Sequence, residues 1–264
     1  MTDKPSLAIR NKLYDELHQH ILCVMPVELN KNNPSKSKEF PGVAGSGVAI
    51  RISSKYFITT AGHIISEFDY ETIFPAFITS KIDNLVQPTI GRGRHKNFDI
   101  GYLEISSKVA GTLKLKFLDI SRFCSYNSTD VFIFGAPKAR TKLLTLKNPP
   151  SIIFNADMYF VKELESDIMS HDDKIYLEWQ NNYPHPMGLS GAPIFAPNLE
   201  RHSDNWRAEY SQLIGIQYGT GKRMGHEYVA GTKINILLEL LLNDYPSLKS
   251  EIEPYLLCEN LNNK

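Results

Sequence analysis

Apolar and polar positions alternate along this chain in two different rhythms. Near the start, Leu13, Tyr14, Leu17 and Ile21 recur at helical spacing, so the pattern predicts an amphipathic helix over residues 6–20, with Pro5 suited to its beginning. Residues 30–45 (NKNNPSKSKEFPGVAG) are polar and turn-rich and read as a loop. Beyond them the rhythm shortens. Strands are predicted at Ser46–Ile52, Tyr56–Thr60, Thr72–Ile78, Ile100–Ile105, Val131–Phe134, Ser151–Phe154, Met158–Lys162, Ile175–Trp179, Pro193–Phe195, Gln212–Tyr218 and Tyr228–Lys233. Many are rich in Val, Ile, Tyr, Phe and Thr, and Gly, Pro or Asn lie between them. The tail returns to helix at Asn235–Leu242, with a further turn near 247–257. Many short strands without alternating helices imply an antiparallel sandwich or barrel. The loop-like stretch CSYNSTD, within residues 119–135, is the place to divide two β units.

Composition narrows the classes of function. The chain has 264 residues, 42% hydrophobic and 22% charged, which is ordinary for a globular protein. Its 29 basic and 29 acidic residues cancel. Neither nucleic acid nor an anionic membrane is expected as a partner on electrostatic grounds. The three cysteines, Cys23, Cys124 and Cys258, are few and far apart, so free thiols in a reducing compartment are expected. The N-terminus lacks a secretory apolar core. The longest apolar stretch, Ile234–Leu242, is interrupted by Asn235 and Glu239 and falls short of the ~20 residues of a membrane span. A cytoplasmic protein without a cofactor is the expectation. No metal site is expected either. His18 and His20 fall on different faces of the predicted helix, and His171, His202 and His226 have no ligand spacing.

Three motifs carry candidate chemistry. The strongest is Gly188-Leu189-Ser190-Gly191-Ala192-Pro193. Acyl transfer needs a serine exposed on a sharp turn, with backbone N–H groups free to stabilise an oxyanion. Glycines on both sides permit such a turn, and Pro193 can open the next strand. The second is Thr60-Ala61-Gly62-His63, directly after a predicted strand, where a general base would be rigidly held. The third is Phe98-Asp99-Ile100-Gly101, an acid entering an apolar strand, which needs a partner such as an imidazole N–H. Asp69 lies only six residues from His63, Asp83 sits in a polar stretch, and His95 reads as a solvated loop residue.

The order His63, Asp99, Ser190 is that of chymotrypsin. Thr60–His63 resembles the Thr-Ala-Ala-His signature of trypsin-like serine proteases, and Gly188–Pro193 resembles their Gly-Asp-Ser-Gly-Gly-Pro. Gly45-Ser46-Gly47-Val48-Ala49-Ile50 is similar to the strand that leads to the histidine. Phe134-Gly135-Ala136-Pro137 is similar to the Gly-x-Pro turn of the second barrel. Leu213–Ile216 and Gly231–Ile234 are similar to the last two strands. The resemblance spans about residues 40–242. It implies an all-β fold of two antiparallel β-barrels, with an N-terminal and a C-terminal helix and the site in the cleft between barrels. The divisions are 1–25 for the N-terminal helix and lead-in, 26–125 for the first barrel, 126–234 for the second and 235–264 for the C-terminal helix and tail. It further implies Ser190 as nucleophile, His63 as general base and Asp99 as its orienting acid. The N–H groups of Gly188 and Ser190 would form the oxyanion hole. Pro184, His185, Gln217, Tyr218 and Gly219 would bind the substrate, a protein or peptide.

Two departures matter. Leu189 stands where secreted members carry the aspartate that pairs with a newly cut N-terminus, so activation by N-terminal cleavage is not expected. Control would come from loop ordering, a regulatory protein partner or substrate availability. Pro184, followed by His185, stands where an aspartate selects Arg or Lys, so specificity for basic residues is not implied. The competing reading is a catalytically weak trypsin-like domain that binds a protein partner. An α/β-hydrolase esterase fits less well, because Gly-x-Ser-x-Gly is absent at Ser190.

Overall fold

The computed structural model describes residues 5–28, 38–39, 45–68, 73–79, 82–86, 89–113, 115–123, 130–137, 142–144, 151–153, 155–164, 173–197, 207–223 and 225–262. Helix α1 (Leu7–Leu17) is capped by Ser6, whose hydroxyl accepts from the Ile9 N–H at 3.4 Å, and it buries Leu13 and Leu17. It stops at Leu17, earlier than predicted, because His18–His20 tighten into a 3₁₀ turn. The first sheet follows. It contains β1 (Ile21–Glu28), β2 (Lys38–Glu39), β3 (Gly45–Ile52) and β4 (Lys55–Thr60). After a short helix α2 (Gly62–Ser66) come β5 (Ile73–Thr79), β6 (Ile82–Val86), β7 (Thr89–Arg94) and β8 (Gly101–Ile105), then helix α3 (Ser107–Thr112) and β9 (Leu118–Asp119). The strand order is β6-β5-β1-β3-β4-β8-β7, with β2 against β1 and β9 running parallel to β3.

The second sheet is built from β10 (Asp130–Gly135), then, after a separate pair β11 (Lys142–Leu144) and β12 (Ser151–Ile153), from β13 (Asp157–Lys162), β14 (Lys174–Glu178), β15 (Pro193–Ala196), β16 (Gln212–Arg223) and β17 (His226–Lys233). Its order is β13-β10-β15-β16-β17-β14. The chain ends in helices α4 (Ile234–Asp244) and α5 (Lys249–Asn262). The protein is therefore mostly β, with two antiparallel sheets and helices at both ends. Among the described residues no strand pairing closes either sheet into a barrel, so of the expected architecture the two antiparallel sheets are present and barrel closure is not shown. Among the described residues the outer edges of the second sheet meet at the isolated bridge Glu163↔Leu177, beside the Leu164 N–H to Tyr176 carbonyl bond of 2.8 Å.

Period-two alternation explains the layers, because both faces of the central strands are buried. In the first sheet Leu22, Val24, Ala49, Ile58, Leu103 and Ile105 face one cluster with Ile64 and Ile65 of α2. Their neighbours Ile21, Cys23, Val48, Ile50, Phe57 and Tyr102 face a core shared with α1, α4 and the second sheet. There they meet Phe132, Phe134 and Phe195, while Val131, Ile133, Ile194 and Leu177 turn to a third cluster. The end of α4 is tied to the first sheet by polar contacts. Tyr102 donates to Asp244 at 2.6 Å, and Glu104 accepts from Tyr245 at 2.8 Å and from Lys55 at 2.5 Å. These bonds satisfy a carboxylate that is otherwise buried. Among the described residues no helix is long and apolar enough to cross a membrane, and no three His, Cys, Asp or Glu side chains gather as a metal site.

His20 is buried where α1 meets the first sheet. Its Nδ1 donates to the Lys116 carbonyl at 2.8 Å, and its Nε2 lies 3.9 Å from Glu16, whose carboxylate Arg122 holds at 3.1 Å. Burial, with the nearby charge of Arg122, pushes the His20 pKa down to about 4 against the Lys116 hydrogen bond. The folded value is thus below that of the unfolded chain, which binds the proton first as pH falls. Stability should therefore decline from about pH 6.5 towards pH 4, by about 3 kcal/mol from this residue. Urea unfolding of wild type and His20→Gln across that range checks it. Parallel pH profiles would show that His20 is not responsible.

Candidate active site

His63 enters α2 three residues after β4 ends. Its backbone N–H donates to Asp99 Oδ1 at 2.7 Å, and its ring Nδ1 meets Asp99 Oδ2 at 2.7 Å. An ionised carboxylate only accepts, so the Nδ1 proton belongs to this bond and Nε2 is left as the basic nitrogen. The two side chains are 43% and 31% exposed, so the pair is open to solvent rather than enclosed in a core. The hydrogen bond to Asp99 raises the His63 pKa above the ordinary histidine value. Burial opposes it, and the charges of Asp99 and Glu67 add to it. Asp99 is set by the turn before β8. There the His95 Nδ1 accepts from the N–H groups of Asn97 and Phe98, both at 3.2 Å. His95 is therefore a brace of the aspartate turn and not merely a solvated loop residue.

Ser190 lies on a turn flanked by two glycines with positive φ, Gly188 at 92° and Gly191 at 87°. Between them Leu189 is fully buried in the core of the second sheet, among residues such as Val131 and Ile194. An apolar anchor thus stands where a buried carboxylate would need an ammonium partner. The turn is fastened on all sides. Leu189 N–H donates to the Pro186 carbonyl at 3.0 Å and Ala192 N–H to the Leu189 carbonyl at 2.7 Å. Gly191 N–H donates to the Gln217 carbonyl at 2.7 Å, Gln217 N–H to the Ala192 carbonyl at 2.8 Å, and Ser46 N–H to the Ser190 carbonyl at 2.7 Å. Gly191 packs so tightly that a Cβ there would strike the Ser46 carbonyl oxygen and the Thr60 hydroxyl. These contacts join the serine turn to the ends of β3 and β4, and Thr60 is followed three residues later by His63. Among the described residues the N–H groups of Gly188 and Ser190 have no acceptor.

The expected substrate-binding residues divide. Tyr218 bulges out of the ladder between Gln217↔Gly231 and Gly219↔Ala230. It is half-buried, packs against the first-sheet cluster and lies near Asp99. Burial, Tyr176 and Asp99 push its hydroxyl pKa up to about 12. Gln217 is instead buried, and its amide donates to the Gly219 carbonyl at 2.9 Å, bracing the bulge. The Pro184 carbonyl accepts from the Trp179 indole at 3.1 Å, within an aromatic group of Tyr159, Trp179 and Tyr183. His185 is exposed and accepts from the Met187 N–H at 3.3 Å, and His226 lies 3.6 Å from Glu178. Asp69, His171, His202 and Cys124 lie outside the described residues, as do the side chains of Asp83 and Cys258. Cys23 is buried, which pushes its thiol up to about 12 and makes it inert. Sequence reasoning treated Ser46 only as the start of a strand. Its place between two close-packed glycines was the available signal that it touches something.

No protein family and no curated protein matches the sequence. Among solved structures, an HtrA-type protease, AlgW, determined with a decapeptide, is similar. The TM-score is 0.53 and the identity 10%, covering 90% of this chain and 67% of that one. At that identity the likeness concerns the fold alone. The chain has a chymotrypsin-like fold.

Proposed function

We propose that this protein is a serine endopeptidase that cleaves a protein or peptide through an acyl-enzyme at Ser190. The observation that carries the reading is the two-point hold of Asp99 on His63, which fixes the imidazole with Nδ1 protonated and Nε2 free to act as base. The Ser190 Oγ attacks the scissile carbonyl while His63 Nε2 takes its proton. The imidazolium is stabilised by Asp99 and then protonates the leaving amine. Water, deprotonated by the same nitrogen, hydrolyses the ester and releases Ser190. The unclaimed N–H groups of Gly188 and Ser190 are suited to the oxyanion at both stages. The peptide seen with the HtrA-type neighbour is consistent with a peptide substrate here.

A fluorophosphonate probe tests the reading. Wild type should be labelled covalently and Ser190→Ala should not. An unlabelled wild type that still binds peptides would favour the catalytically weak binding domain instead.

A further inference from the structure

Ser46 is a fully buried polar residue in which every hydrogen-bonding group is engaged, and two of its bonds reach the serine turn. Its N–H donates to the Ser190 carbonyl at 2.7 Å. Its carbonyl accepts from the Thr60 hydroxyl at 2.8 Å. Its own hydroxyl donates to the Gly188 carbonyl at 3.3 Å and accepts from the Ala136 N–H at 3.2 Å. One side chain from the first sheet thus links the end of β10 in the second sheet to the peptide unit that follows Gly188. Gly135 makes the approach feasible, since a Cβ there would lie 2.8 Å from the Ser46 hydroxyl and 2.7 Å from Ala192.

The Gly188 carbonyl is held to the first sheet by the Ser46 hydroxyl alone. Gly188 has φ of 92°, a conformation from which a glycine can rotate at little cost, and among the described residues its carbonyl has no acceptor bond other than the one from Ser46. Without the Ser46 bond the Gly188–Leu189 peptide would be held, among the described residues, only through the Leu189 N–H to Pro186 carbonyl bond, so the Cα atoms on either side of it could shift, and the adjoining N–H groups of Gly188 and Ser190 would shift with them. We propose that Ser46 is a positioning residue. Its hydroxyl latches the Gly188 carbonyl, so the two N–H donors stay aimed at the oxyanion only while the two sheets remain docked on each other. This rests on the serine-protease reading above and assigns to it a residue that does not touch the substrate.

Ser46→Ala removes the hydroxyl and leaves both backbone bonds of residue 46 in place. Expected is a fall in kcat of about 10- to 100-fold with KM little changed, since an oxyanion donor acts in the transition state. Affinity for a peptide boronic acid should fall in parallel with kcat. Ser46→Cys, which keeps a weak donor and acceptor, should recover part of both. Tyr245→Phe loses one remote hydrogen bond of similar kind, and serves as the stability control with unchanged kcat. Crystal structures of wild type and Ser46→Ala supply a readout independent of activity, in which the Gly188 carbonyl turns away and the Gly188 φ leaves its wild-type value. If the carbonyl turns but wild type is inert to the boronate, the protease reading fails and the latch stands. If the Gly188 geometry is unchanged in Ser46→Ala, or kcat stays within twofold in an active enzyme, the latch is overturned.

Discussion

Replacing Asp99 by Asn should lower kcat by about 10⁴-fold while leaving the protein folded. Asp99 accepts twice from His63, once from the backbone and once from the ring. An asparagine can keep the first bond by turning its oxygen to the His63 N–H. Its amide nitrogen then faces Nδ1 as a donor, which selects the tautomer with the proton on Nε2. That nitrogen can no longer accept from Ser190, and no charge balances the imidazolium. The pH profile should change as well. In wild type the Asp99 hydrogen bond raises the His63 pKa, so the neutral base is populated only above a pH higher than the usual histidine value. kcat/KM should therefore fall as pH drops through that raised pKa. In Asp99→Asn the residual activity should carry its acid limb to lower pH. Steady-state kinetics with a peptide ester between pH 5 and 9 measure both effects. A loss of less than about tenfold would remove Asp99 from the mechanism.

Gly191→Ala should both unfold and inactivate the protein far more readily than its single added methyl suggests. The position has φ of 87°, where an L side chain is strained, and the new Cβ would strike the Ser46 carbonyl oxygen and the Thr60 hydroxyl. Neither obstacle is the loose end of a side chain, since one is backbone and the other is bonded to that backbone at 2.8 Å. Strain and overpacking together should cost about 3–5 kcal/mol. The turn can relieve the clash only by withdrawing Ser190 from β3 and β4, so kcat should also fall by at least about 100-fold. Urea unfolding and single-substrate kinetics would show this. Stability within roughly 1 kcal/mol of wild type would mean that the turn is far less constrained than its packing indicates.

The strands that sequence reading missed show where its reach ended. Residues Ile21–Glu28 form β1, at the centre of the first sheet, yet the run ILCVMPVE follows a helix without a break and carries Pro26. Proline argues against a central strand, but β1 has left the β3 ladder at Val24 before it reaches Pro26 and continues against β5 alone, apart from two residues beside β2. Thr89–Arg94 forms β7, although alternating Gly and Arg give no strand propensity. It is held as a strand by pairing with β8. In both cases a tertiary partner outweighs local preference.

What the amino-acid sequence determined by itself was local chemistry. The glycines around Ser190 dictate a tight turn whatever surrounds it, the alternating apolar runs dictate strands buried on both faces, and the order of three short motifs points to one fold. Proximity was decided only by the tertiary structure. Asp99 stands 36 residues from His63, and their pairing exists because β4 and β8 are neighbours in the sheet. Leu189 became an apolar anchor only when the second sheet supplied a core for it. Ser46 looks like any strand residue until folding brings it to Gly188, 142 positions away. A hydrogen bond at that separation leaves no periodic trace in the chain, because it depends on how two sheets dock and not on how either strand is made.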